Sequence, residues 1–134
     1  MPDERTTPPG PPDEEPEVDY ANNTFIVPTV WDLKILFGEL SPRSQFVDWH
    51  TAITLPWAHA KLLTYYLRLN VASYESQNGP IRIPDAAIPA EVPPLPKDSE
   101  NDRRWQRFRK IAQEIREELI KSLPPPPEQS EGNS

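Results

Sequence analysis

The sequence predicts an α+β fold: a small antiparallel β-meander of about three strands with one helix packed across it, plus a separate C-terminal amphipathic helix. Three observations carry this. Of 19 prolines, only Pro28, Pro42 and Pro56 fall between residues 20 and 79. Inside that window a two-residue alternation gives way to three-and-four spacing after Pro56. A second run of helical spacing follows a proline-rich stretch. The chain therefore reads as an acidic proline-rich tail expected to be disordered (1–18), an α+β core (19–80), a proline-rich linker (81–98), an amphipathic helix (99–123) and a tail expected to be disordered (124–134).

Each element has its own signal. Thr24-Phe25-Ile26-Val27 is rich in β-formers, and Pro28 ends it because proline cannot donate to a ladder. Over residues 32–37, Leu33, Ile35 and Phe37 share one face while Asp32, Lys34 and Leu36 share the other. A turn is expected over 38–45. Residues 46–54 alternate again, with Val47, Trp49, Thr51 and Ile53 on one face and Asp48, His50 and Thr54 on the other. Short strands with local connections favour an antiparallel meander. Pro56 suits a first helical position. From there Ala60, Leu63, Leu67 and Tyr74 make a stripe, with Leu62, Tyr66 and Leu69 beside it. Asn78-Gly79-Pro80 stops that helix. Residues 81–97 hold a proline series that favours an extended, semi-rigid spacer. Ser99 with Asp102 resembles a capping box. Trp105, Phe108, Ala112, Ile115 and Leu119 then step at heptad spacing, widened by Ile111 and Leu123, until prolines 124–127 end the helix.

Composition bounds what so small a core can do. A core of about 60 residues buries only roughly 60% of its unfolded surface and is marginal alone. The usual remedies are disulfides, a metal or oligomerisation. The chain has no cysteine and two histidines, so oligomerisation is the remedy expected. The net charge of −7 is uneven. Residues 1–19 hold seven acids and one base, whereas five bases sit between Arg103 and Lys110. Met1 is followed by Pro-Asp-Glu, which argues against a secretory leader, and no apolar run reaches the ~20 residues needed to span a bilayer. A cytoplasmic protein without membrane contact is expected, so the sequon Asn22-Asn23-Thr24 carries no weight.

Taken together, Tyr20-Ala21-Asn22-Asn23, Trp31-Asp32, Phe37-Gly38-Glu39, Pro56 leading into Ala60-Lys61 and Leu63, and Tyr74-Glu75 before Gly79 resemble a small prokaryotic family, the domain of unknown function numbered 3467. The resemblance covers about residues 20–81. It implies a compact strand-strand-strand-helix unit and transfers no activity or catalytic residue. One departure is Leu55, where such sequences commonly place a serine before the helix-opening proline. Losing that cap costs about 1 kcal/mol. A fainter similarity of plan links the chain to SecB-type export chaperones, an architectural analogy that does not carry function by itself.

The chemistry-bearing residues are few. Asp48 and His50 lie two apart on one strand and can meet, but Ser41 and Ser44, the nearby hydroxyls, read as turn residues. His59 lacks ligand partners at helical spacing, since positions 55, 56, 62 and 63 hold Leu, Pro, Leu and Leu. No glycine-rich phosphate loop is present. No catalytic residue, metal site or cofactor is expected. Arg103, Arg104, Arg107, Arg109 and Lys110 surround Trp105 and Phe108, a pattern that can contact nucleic acid. Against it stand the neighbouring acids and an acidic chain. The stripe Trp105, Phe108, Ile111, Ala112, Ile115 and Leu119 is the candidate partner-binding or oligomerisation surface, with Trp105 and Phe108 the expected anchors. The proline runs at 8–12 and 124–127 read as linker and tail. The expected function is a non-enzymatic interaction or assembly protein that self-associates through its sheet and helix and docks a protein partner through the 99–123 helix. Two alternatives stay open: a nucleic-acid-binding accessory protein and a SecB-like holdase chaperone.

Overall fold

The computed structural model describes residues 10, 11, 13–94 and 102–126. In chain order the elements are β1 (Asn23–Pro28), β2 (Asp32–Glu39), β3 (Asp48–Pro56), α1 (Trp57–Asn78), a 3-10 turn (Asp85–Ala87) and α2 (Arg103–Ser122). These elements give the α+β class that the sequence predicts: a three-stranded antiparallel sheet, then a helix, and a second helix toward the C-terminus. The expectations for residues 1–9 and 12, for the end of the linker with Ser99, and for residues 127–134 lie outside the described residues. The chain divides into two compact units, Met1–Tyr65 and Tyr66–Ser134, with the boundary inside α1.

The first unit is built on an antiparallel sheet of order β1-β2-β3. Leu33, Ile35 and Phe37 of β2 stand opposite Pro28, Ile26 and Thr24 of β1 and opposite Leu55, Ile53 and Thr51 of β3. These residues form one face, as the alternation requires. The β1–β2 hairpin is closed by Thr29, whose backbone N–H donates to the Asp32 carbonyl at 2.8 Å. Its hydroxyl donates to Asp32 Oδ1 at 2.9 Å and accepts from the Trp31 and Asp32 N–H groups.

One register shift lies between Phe37 and Gly38. Phe37 pairs with Thr51 but Gly38 pairs with Trp49, which leaves His50 as the extra residue of a β-bulge. Trp49 therefore does not share a face with Thr51 and Ile53, as strict alternation predicted. It lies on the opposite face, edge-on to Phe25 at 6.4 Å between centroids. A one-residue slip flips every side chain beyond it, and only pairing reveals it.

β3 runs to Pro56 and passes directly into α1, so the proline sits one position before the helix rather than as its first residue. Gly79, at φ +84°, ends α1 with its N–H donating to the Glu75 carbonyl at 2.9 Å. The Glu75 carboxylate then accepts from the Ile81 N–H at 2.8 Å.

In the second unit the linker runs along α2. Arg116 Nε donates to the Pro89 carbonyl at 3.0 Å and Arg109 Nε to the Pro93 carbonyl at 3.2 Å. Proline-rich backbone offers carbonyls without competing N–H groups, and guanidinium is a multiple donor suited to collecting them. α2 starts at Arg103 with Asp102 as its N-cap, the carboxylate accepting from the Arg104 N–H at 2.9 Å. Asp102 thus caps the helix itself instead of standing at the third position behind a Ser99 cap.

Candidate functional site

α1 is apolar on more than one side. Ala60, Leu63, Leu67, Val71 and Tyr74 form one face at helical spacing, and Leu62, Tyr65, Tyr66 and Leu69 form another. Lys61, Thr64, Arg68 and Glu75 leave a narrow polar strip on one side, with His59 and Asn70 on the other. No side chain of α1 is buried. Leu67 is 58% exposed and Tyr74 56% on the first face; Leu62 is 50% exposed and Leu69 53% on the second.

The sheet repeats this pattern. Ile26 and Ile53 are exposed on the Leu33–Phe37 face, and Phe25 and Trp49 are exposed on the other. The β1–β2 hairpin ends in Val30 and Trp31, each 85% exposed, beside Trp57, whose indole N–H donates to the Thr29 carbonyl at 2.9 Å. Among the described residues no apolar side chain is buried. Gly38 is buried instead, covered by Val47 and Trp49.

On α2 the structure divides the predicted stripe. Trp105, Ala112 and Leu119 are half-buried on the side where Arg109 and Arg116 reach the linker. Phe108, Ile111 and Ile115 are exposed. Trp105 packs on Phe108 at 5.5 Å between centroids, and its buried Nε1 has no acceptor among the described residues. Of the basic cluster, Arg103, Arg104, Arg107 and Lys110 are exposed, whereas Arg109 is half-buried and committed to the Pro93 carbonyl. The end of α2 and the linker enclose a cleft of about 660 Å³ lined by Ile83, Ile88, Ile120, Leu123 and Pro124.

Among the described residues His50 and Asp19 meet through Thr51, a set different from the Asp48–His50 pair that spacing allowed. The bulge turns His50 so that Nε2 donates to the Tyr20 carbonyl at 2.8 Å, and Nδ1 lies 2.7 Å from Thr51 Oγ1. The Thr51 hydroxyl donates to Asp19 Oδ2 at 3.1 Å. The hydroxyl stands between imidazole and carboxylate. A hydrolase triad places the imidazole in the middle, where it takes the hydroxyl proton. The arrangement here fastens the segment before β1 to β3. Spacing gives no sign of the His50–Tyr20 and Thr51–Asp19 contacts, because each spans some thirty residues. Ser44 serves its own turn, donating to the Phe46 carbonyl and accepting from the Phe46 N–H.

The residues that carry the family resemblance hold backbone in place. Asn22 clamps Leu40 at both ends, with Nδ2 donating to its carbonyl at 3.1 Å and Oδ1 accepting from its N–H at 2.8 Å. Asp32 closes a hairpin, Gly38 admits Trp49, and Glu75 with Gly79 ends a helix. A search of curated proteins and a search of solved structures each returned no match. A family profile described as a protein of unknown function, DUF3467, matches residues 4–83, which is more than half of the chain and reaches further toward the N-terminus than the motifs alone. The chain belongs to the DUF3467 family.

Proposed function

We propose that this protein is a non-enzymatic assembly module that self-associates through its sheet and helices, a second copy supplying the core that one chain lacks. One observation carries the reading: the strands and helices are fully formed, yet among the described residues no apolar side chain is buried. Ordering a residue costs about 1–2 kcal/mol, and a backbone hydrogen bond returns a net ~0.5–1.5 kcal/mol. Apolar burial at roughly 25 cal/mol per Å² has to supply the rest. A helix that is apolar on most sides belongs to an interior. No helix of the described residues is long and apolar enough to cross a membrane, so protein is the cover we assign to α1. A copy of the same chain brings equivalent sheet and helix faces, and such interfaces are self-complementary under twofold symmetry. We place the assembly in the cytoplasm, in keeping with the absence of cysteine.

Thermal unfolding across a wide dilution series tests the proposal. A self-associated native state unfolds at a temperature that rises with protomer concentration, because mass action links folding to association. A midpoint independent of concentration, with one cooperative transition, refutes it.

A further inference from the structure

α2 carries two heptad-spaced seams offset by one residue. Trp105, Arg109, Ala112, Arg116, Leu119 and Leu123 form the half-buried seam along the linker. Arg104, Phe108, Ile111, Ile115 and Glu118 form the second, exposed along its whole length. Its three apolar members are 56%, 54% and 61% accessible, in chain order. Steps of four, three, four and three are coiled-coil spacing. We propose that this exposed seam pairs with the same seam of a second copy, antiparallel and centred on Ile111. The inference rests on the self-association reading and adds to it the helix, the face and the orientation.

Charge selects both the occupant and the direction. The bases Arg103, Arg104, Arg107, Arg109 and Lys110 occupy the first half of α2; the second half holds Glu114, Glu117 and Glu118 together with Arg116 and Lys121, of which Arg116 is committed to the linker. A parallel pair sets Arg104 against Arg104 and Glu118 against Glu118. The antiparallel pair sets Arg104 against Glu118 at both ends of the seam, with Phe108 beside Ile115 and Ile111 against itself. Opposite charges at the seam edges choose partner and orientation in helix pairs. The antiparallel arrangement also opposes the two macrodipoles. Within one helix, the bases Arg103 and Arg104 at the start run against the macrodipole. Pairing gives this locally unfavourable order a compensating contact on the other copy, and the helix is its own charge complement.

Disulfide trapping in the full-length chain tests it. The chain has no cysteine, so introduced thiols report alone. Mixed and mildly oxidised, the Arg104→Cys and Glu118→Cys variants give a cross-linked heterodimer, while Arg104→Cys by itself gives none. A self-cross-linked Arg104→Cys product, or no product in either sample, overturns the pairing. The mass of the unsubstituted protein in solution separates the two readings. An oligomer without the 104–118 product refutes the α2 pairing and leaves self-association standing; a monomer refutes both.

Discussion

A single methyl group at Gly38 tests the bulged corner of the sheet. A Cβ built there lies 2.6 Å from Val47 Cγ1, 2.8 Å from the Asp48 carbonyl oxygen and 2.8 Å from Trp49 Cε3. Carbon atoms in contact ordinarily sit about 3.5–4.0 Å apart. One of the three neighbours is backbone and one is a rigid ring, so relief means moving β3 away from β2. Overpacking of this kind costs about 1–3 kcal/mol. In a domain of this size each kcal/mol lowers the melting temperature by roughly 4–8 °C. Trp49 lies over the site, so indole emission follows the displacement. Urea unfolding of Gly38→Ala, followed by tryptophan fluorescence at matched protomer concentration, gives a lower midpoint than the parent. Gly10→Ala is the control, because nothing lies within 4 Å of its Cβ position. A Gly38→Ala midpoint equal to that of the control refutes the close approach and the bulge register with it.

Three further substitutions probe separate devices. Gly79→Ala has open space but a φ of +84°, so it costs about 1 kcal/mol through backbone strain alone, read as a lower thermal midpoint. Asn22→Ala removes both hydrogen bonds to Leu40 and lowers the urea midpoint by an amount equivalent to about 1 kcal/mol, whereas an unchanged midpoint makes the clamp incidental. Asp102→Ala removes the cap of α2, also at about 1 kcal/mol, and lowers helicity in the far-ultraviolet circular dichroism spectrum.

Strand and helix positions were legible because alternation and helical spacing are local properties of the sequence. The face of Trp49 was not, because the bulge exists only in the pairing of β2 with β3. The cap of α2 moved from Ser99 to Asp102 because either side chain chemistry can accept the N–H of an opening turn, and the sequence does not say where the turn opens. Spacing identified most of the apolar residues of α1, although not Tyr65 or Val71. What spacing concealed is that they form two faces where one was expected to suffice. The stripe on α2 divides because Arg109 and Arg116 bind linker carbonyls, a contact between two segments that sequence reading treats separately. The His50 contacts with Thr51 and, through it, Asp19 depend on the same bulge and on a chain reversal some thirty residues long. The motif residues were correctly found, and their role is legible only in the hydrogen bonds: they fix turns, a clamp and a helix end.

The mass of the full-length protein in solution, measured by light scattering behind size exclusion across a range of loading concentrations, addresses the central claim most directly. A core shared between copies gives a discrete multiple of 15.4 kDa. A mass of 15.4 kDa at every concentration, with the protein cooperatively folded, contradicts it.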